Sequence, residues 1–163
     1  MKIGNHWETI RAVFDQGYNS CVNFAVATVN EDGSPHITPI GSLILRDNKT
    51  GFYFEENLVR MPHNLKANPR VRILAVNADK LFWGKALIEG KFTAPPAVRL
   101  SGIAGELRKA TPEEIALWQG KIALAKGTKG YQLLWAHFSK ARDITFESLE
   151  PVDVGEMTNG FWL

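Results

Sequence analysis

Arg60 stands two residues ahead of Pro62, and Pro62 suits the first turn of a helix, where its missing N–H would have no helical partner. A guanidinium there, beside the free N–H groups of a helix start, can grip a doubly charged phosphoryl group. Taken alone, the same arginine reads as a solvated surface residue. Upstream, the run His36-Ile37-Thr38-Pro39-Ile40 contains a proline that removes one N–H from any ladder it joins, which can leave backbone groups open to a ligand. His36 reads equally as a ligand contact or as an ordinary polar residue near a turn. Five Trp and nine Phe either fill a core or wall a flat aromatic ligand.

The elements that must position these residues are mostly strands. Residues 6–16 place Trp7, Ile10 and Phe14 at helical spacing, with Gly17 positioned to end the helix. Residues 21–29 put Val22, Phe24 and Val26 on one face at period two, a strand pattern. The turn Glu31-Asp32-Gly33-Ser34 leads into a returning strand over residues 36–45, and a second turn at residues 47–50 leads into a third over 51–55. A short helix over residues 62–67 ends at Asn68-Pro69, and residues 71–76 are again strand-like. Residues 81–93 fit a strand bent at Gly84 and Gly90, or a short helix across residues 83–88. After Ala94-Pro95-Pro96, residues 98–108 read as a strand. Thr111, Pro112 and Glu114 form a capping box that opens a helix running to about Ala125. Residues 131–138 suggest another short helix, residues 143–149 a closing strand, and residues 151–163 a tail. Antiparallel strands joined by tight turns, with a few helices outside, favour a small barrel over a parallel sheet. The expected fold is therefore mainly β with flanking helices, in one domain over residues 1–163.

Composition narrows the function classes. A formal charge of +2, with basic residues spread along the chain, gives no footprint for nucleic acid. No apolar run reaches the 18 or so residues that cross a bilayer. No secretory signal is read at the start, and the single cysteine, Cys21, allows no internal disulfide; a reducing cytoplasm is the expected location. Cys21 itself reads as a small buried hydrophobe at the start of a strand. The histidines His6, His36, His63 and His137 lack zinc-binding spacings, so no metal is expected. Glycine-rich dinucleotide and P-loop motifs are missing, as is a Gly-x-Ser-x-Gly elbow.

Three segments together carry a more specific signal. They are the Asp32-Gly33-Ser34-Pro35 hairpin, the run from Gly51 to Val71 with Asn57-Leu58, Arg60, His63 and Asn68-Pro69-Arg70, and the strand Val98-Arg99-Leu100-Ser101-Gly102 followed by the Thr111-Pro112-Glu113-Glu114 helix. In order and spacing, over roughly residues 8–125, the chain resembles the pyridoxamine 5'-phosphate oxidase-like flavoproteins. The resemblance implies a split β-barrel, a homodimer, and one FMN in each of two clefts between subunits, with a small molecule as substrate. Arg60 matches a phosphate-binding arginine of that family. The strand carrying His36, Ile37, Thr38 and Pro39 matches the one lining the flavin ring, and Glu55 and Glu56 occupy the stretch touching the phosphate side.

The chain also departs from the oxidase. Met61 replaces a lysine after the phosphate arginine, and Glu56 replaces a phosphate-binding threonine with a charge that would repel phosphate; His63 or Lys66 could compensate. Residues 80–96 look like an insertion, which leaves Lys85 and Arg99 as competing candidates for the ring-contacting position, where a cation would stabilise a reduced flavin. The tail does not match the oxidase's substrate-binding C-terminus, which argues against oxidation of pyridoxine phosphate itself. Trp162 in that tail could fold over the cofactor. An oxidoreductase and a non-catalytic module for flavin, deazaflavin or haem both remain open.

Overall fold

In the computed structural model, which describes residues 1–162, the chain folds as one seven-stranded antiparallel sheet with helices around it. Helix α1 (Trp7–Cys21) buries Trp7, Ile10, Val13 and Phe14 along one stripe. The strands are β1 (Phe24–Val29), β2 (Pro35–Ile40), β3 (Ile44–Leu45), β4 (Thr50–Phe54), β5 (Arg70–Val76), β6 (Ala97–Lys109) and β7 (Lys140–Pro151). Helix α2 (Arg60–Ala67) joins β4 to β5, α3 (Lys80–Glu89) joins β5 to β6, and α4 (Pro112–Lys121) and α5 (Lys129–Leu134) lie between β6 and β7.

The sheet order β2-β1-β5-β6-β7-β4-β3 puts β2 and β3 at opposite edges, yet only Gly41, Ser42 and Leu43 separate them in the chain. Such a link spans at most about 14 Å. The two edges must therefore meet, and the sheet curls into a barrel split at that seam. Ser42 stitches the link to β4: its Oγ accepts from Phe54 N at 3.0 Å and donates to Phe54 O at 3.4 Å. Inward-facing Val26, Ile73, Leu100 and Ile144 pack with Ile10 and Phe14 of α1 as the main core. A second cluster, built on Phe52, Phe54, Trp118 and Tyr131, lies under α4 and α5.

Several boundaries differ from the sequence reading. Gly17 does not end α1; it is buried mid-helix, where a Cβ would stand 3.2 Å from the Val76 carbonyl oxygen, so it serves close helix–strand approach. The helix instead runs on to Cys21, whose thiol is exposed rather than buried, and it is closed by Val22 in the left-handed region (φ 65°). The strand expected over residues 36–45 breaks at the seam. Residues 80–89 are helical, capped by Asp79, whose side chain accepts from Phe82 N. In the tail, Trp162 sits edge-on to His6 at the start of α1 (5.7 Å between ring centres).

Two ionic clusters tie the outer elements to the barrel. Glu55 and Arg142 are both buried and form a two-bond pair of 2.5 Å each, while Tyr53 Oη donates to the same carboxylate at 2.6 Å. Burial, with the Glu55 carboxylate beside it, pushes the Tyr53 phenol far above its ordinary range, so it stays a donor. Arg142 also donates to Gly105 O at 2.7 Å, a carbonyl freed by the bulge between Ala104 and Leu107 of β6. Nearer the surface, Arg46 and Arg108 both bond Glu114 and Asp143 at 2.6–2.9 Å. Glu114 also accepts from Thr111 N at 2.9 Å and so completes the capping box of α4.

Removing Arg142 would strand a buried carboxylate. Arg142→Met should therefore cost about 3–5 kcal/mol in guanidinium unfolding, most of it recovered by adding Glu55→Gln. A single-variant loss under about 1 kcal/mol would show that the pair is solvated. Hydrogen bonds from Arg108 are the main influence holding the Glu114 and Asp143 carboxyls below the usual range. Their contribution to stability is then complete above the ordinary carboxylate pKa of about 4 and is lost as pH falls through the depressed values. The unfolding midpoint should drop in acid. A Glu114→Gln/Asp143→Asn double variant should be less stable at neutral pH and show a flatter acid limb; an unchanged limb would contradict the assignment.

Candidate functional site

Helix α2 begins at Arg60, two residues earlier than the proline alone suggested, and Val59 provides no side-chain cap for its first N–H groups. The helix is seated on the β1–β2 hairpin. Asn64 is buried and donates to Thr28 Oγ1 at 3.1 Å and to Asn30 Oδ1 at 3.0 Å, while His63 Nε2 lies 2.9 Å from Glu31 Oε1. Thr28 is the cross-strand partner of His36, so the start of β2 lies beside α2. The exposed carboxyl of Asp32 is held low chiefly by the Ser34 hydroxyl and N–H, with a smaller contribution from the Arg60 charge. Arg60 is exposed, and among the described residues no carboxylate lies within 4.0 Å of it.

Strand β2 pairs only with β1 and is therefore an edge. Along its free side, backbone groups await partners, and Pro39 stands where an edge strand tolerates a missing donor. Ile37 and Pro39 face outward, while Thr38 faces in, its buried Oγ1 without a hydrogen-bond partner. His36, Ile37, Pro39, Arg60 and His63 are thus gathered around one hairpin and one helix start.

The other expected residues lie elsewhere. Met61 is in the core (1% exposed) and Glu55 is committed to Arg142. Glu56 Oε1 accepts from Ser139 N at 2.5 Å, Ser139 Oγ at 3.0 Å and Lys140 N at 2.7 Å, so its charge is held at the start of β7. Lys85 lies on α3, 3.8 Å from Glu89, and Arg99 pairs with Glu150 at 2.9 Å on the outer face of β6. Neither joins the hairpin cluster within this chain.

Flavin mononucleotide fits the residues present in two respects: an unpaired guanidinium at an uncapped helix start suits the phosphate, and the open edge of β2 suits the polar rim of the ring. At Glu56 the three donors all bind Oε1, while among the described residues the buried Oε2 has no hydrogen-bond partner, so the departure there is only partly offset.

A cavity of about 670 Å³ opens beside the seam. Pro39, Ile40, Gly41 and Ser42 from β2 and the link line it together with Phe54, Leu58, Trp118, Lys121, Trp135 and Phe138. The sequence counted the aromatic residues but could not place these, because they come from α4 and the end of α5, far along the chain from β2. The spacing of Trp118 and Lys121, three apart on one helix, was the available signal.

Among the described residues, no group of three or more His, Cys, Asp or Glu could hold a metal ion, and no helix is long and apolar enough to cross a membrane. No curated protein matches the chain. Solved structures do. A HupZ protein from Group A Streptococcus aligns over 91% of this chain and 94% of its own, at 19% identity and a TM-score of 0.58. An FMN-binding protein from Syntrophomonas wolfei aligns over 91% and 89%, at 12% identity and 0.59. HutZ, a heme storage protein from Vibrio cholerae, aligns over 87% and 94%, at 16% identity and 0.50. These likenesses establish the fold. The family model described as pyridoxamine 5'-phosphate oxidase matches residues 10–144, from α1 into β7, and on that match the chain belongs to the pyridoxamine 5'-phosphate oxidase family.

Proposed function

We propose that this chain is a cytoplasmic FMN-binding flavoprotein that works as a homodimer and catalyses oxidation or reduction of a small molecule. The observation that carries the reading is Arg60: an exposed guanidinium without a carboxylate partner among the described residues, at the uncapped start of α2, beside the open edge of β2. Arg60 and the first N–H groups of α2 would hold the phosphate, with His36 beside them, and the backbone of β2 would meet the ring's polar rim. When bound, the flavin supplies the redox chemistry; the protein binds and orients it and sets the charge around it. Membership of the family and the name of the Syntrophomonas wolfei protein both support FMN.

The dimer is supported by the outer face of the sheet. Alternation along β1, β2 and β5 turns Ala25, Ala27, Ile37, Pro39 and Leu74 outward, and Ile37 is 65% exposed. Small and apolar side chains on an outer sheet face suit a second copy of the same surface.

Titration with FMN, followed by the flavin's visible spectrum, tests the proposal. The wild-type chain should bind, and Arg60→Ala should weaken binding about 10–100-fold, the loss of one charge-assisted contact worth about 1.5–3 kcal/mol. Because Arg60 is exposed, the variant's thermal midpoint without FMN should not change. Equal FMN affinity in the two proteins would contradict the site. Bound FMN that no nicotinamide cofactor reduces and no acceptor reoxidises would assign a carrier role instead of catalysis.

A further inference from the structure

We infer that the cavity at the seam binds a flat aromatic carboxylate, its rings lying among Phe54, Trp118, Trp135 and Phe138 and its carboxylate pairing with Lys121 Nζ. The walls favour flat rings. Phe138 stacks on Phe54 (5.0 Å, 22° between planes) and on Trp118 (5.8 Å, 23°), and Trp135 stands perpendicular to Trp118 (6.0 Å, 90°). Offset stacking and edge-on contacts are the arrangements aromatic groups prefer; these side chains make both with one another, Phe54 and Trp118 buried and Trp135 and Phe138 half-buried, so Trp135 and Phe138 are the rings with surface left for a ligand. A cavity of about 670 Å³ lies within the size range of small-molecule sites.

The polar groups narrow the class further. Lys121 is the only lysine or arginine lining the cavity among the described residues; its Nζ lies 4.5 Å over the Tyr18 ring, with no carboxylate within 4.0 Å. A single ammonium on a flexible stem suits one carboxylate, and the absence of a guanidinium fork disfavours a phosphate ester. No histidine, cysteine or methionine lines the cavity, so this chain offers haem iron none of those axial ligands there. Glu56, the one acidic side chain in the lining among the described residues, has its Oε1 occupied by three donors from Ser139 and Lys140, while its buried Oε2 has no hydrogen-bond partner, so the ligand carboxylate is placed at Lys121 and away from Glu56.

Pro39 and Gly41 bring this cavity to the end of the strand proposed to line the flavin ring, so calling the carboxylate a substrate rests on that reading. Its binding does not. The probe is 2-naphthoate, titrated calorimetrically into the purified full-length protein, with the FMN content of the same sample measured from its visible spectrum. Neutral 2-naphthol and 2-naphthyl phosphate serve as comparisons. Naphthoate should bind at a single saturable site about tenfold more tightly than naphthol, and naphthyl phosphate no better than naphthoate. Lys121→Met, which keeps the apolar stem, should abolish the preference for naphthoate while leaving naphthol affinity unchanged; Trp135→Ala should weaken both. Failure of naphthoate to saturate, equal affinity for naphthoate and naphthol, or a preference that survives Lys121→Met overturns the inference. Protein carrying stoichiometric FMN but no naphthoate would overturn this inference alone. Naphthoate binding in protein that takes up no FMN would uphold it and remove the flavin reading.

Discussion

Gly41, Ser42 and Leu43 are all the chain that separates one edge of the seven-stranded sheet from the other, and the rest of the structure follows from how short that link is. A sheet whose edges must meet over three residues curls, and the inward faces of all its strands then share one core. The link has little freedom of its own. A Cβ on Gly41 would stand 3.0 Å from the Val22 carbonyl oxygen, and Ser42 is bonded to both backbone groups of Phe54. Edge strand β2 remains unpaired on its outer side, the large cavity opens next to the link, and α2 sits on the hairpin that leads into β2. The proposed cofactor cradle and the proposed ligand cavity are therefore two sides of one seam.

Electrostatics divides the charged residues by task. Glu55, Glu114 and Asp143 are held by Arg142, Arg108 and Arg46 in bidentate or networked pairs, and Glu56 is held by the start of β7. Those groups fix β4, β6, β7 and α4 against one another. Among the described residues, Arg60 and Lys121 have no such partners. Cations without a carboxylate, one at a helix start and one on the rim of an apolar cavity, are available for ligand charge in a way the paired arginines are not.

Local patterns made much of the fold legible in the sequence. Alternation in Phe24-Ala25-Val26 and the Asp32-Gly33 turn marked the first hairpin, and the Thr111-Pro112-Glu114 cap marked α4. Each rests on residues close in the chain. The misreadings arose where tertiary packing overrode a local preference. Gly17 reads locally as a stop, but it is a contact point with Val76; Cys21 reads as the start of a strand, but α1 extends through it. Residues 36–45 alternate well enough to read as one strand, and only the need to cross the seam breaks them. Of the candidate site residues, those near the β1–β2 hairpin came together because the hairpin is local. Apart from Tyr53, two residues from Glu55, the partners that occupy Glu55 and Glu56 lie on or just before β7, more than eighty residues away, and no pattern in the sequence connects them.

The central claim is tested most directly by a crystal structure of the protein soaked in FMN. The account predicts the phosphate within hydrogen-bond distance of the Arg60 guanidinium and the first N–H groups of α2, with the flavin ring along the free side of His36-Ile37-Thr38-Pro39. Phosphate bound away from α2, or a ring lying against a strand other than β2, would contradict it.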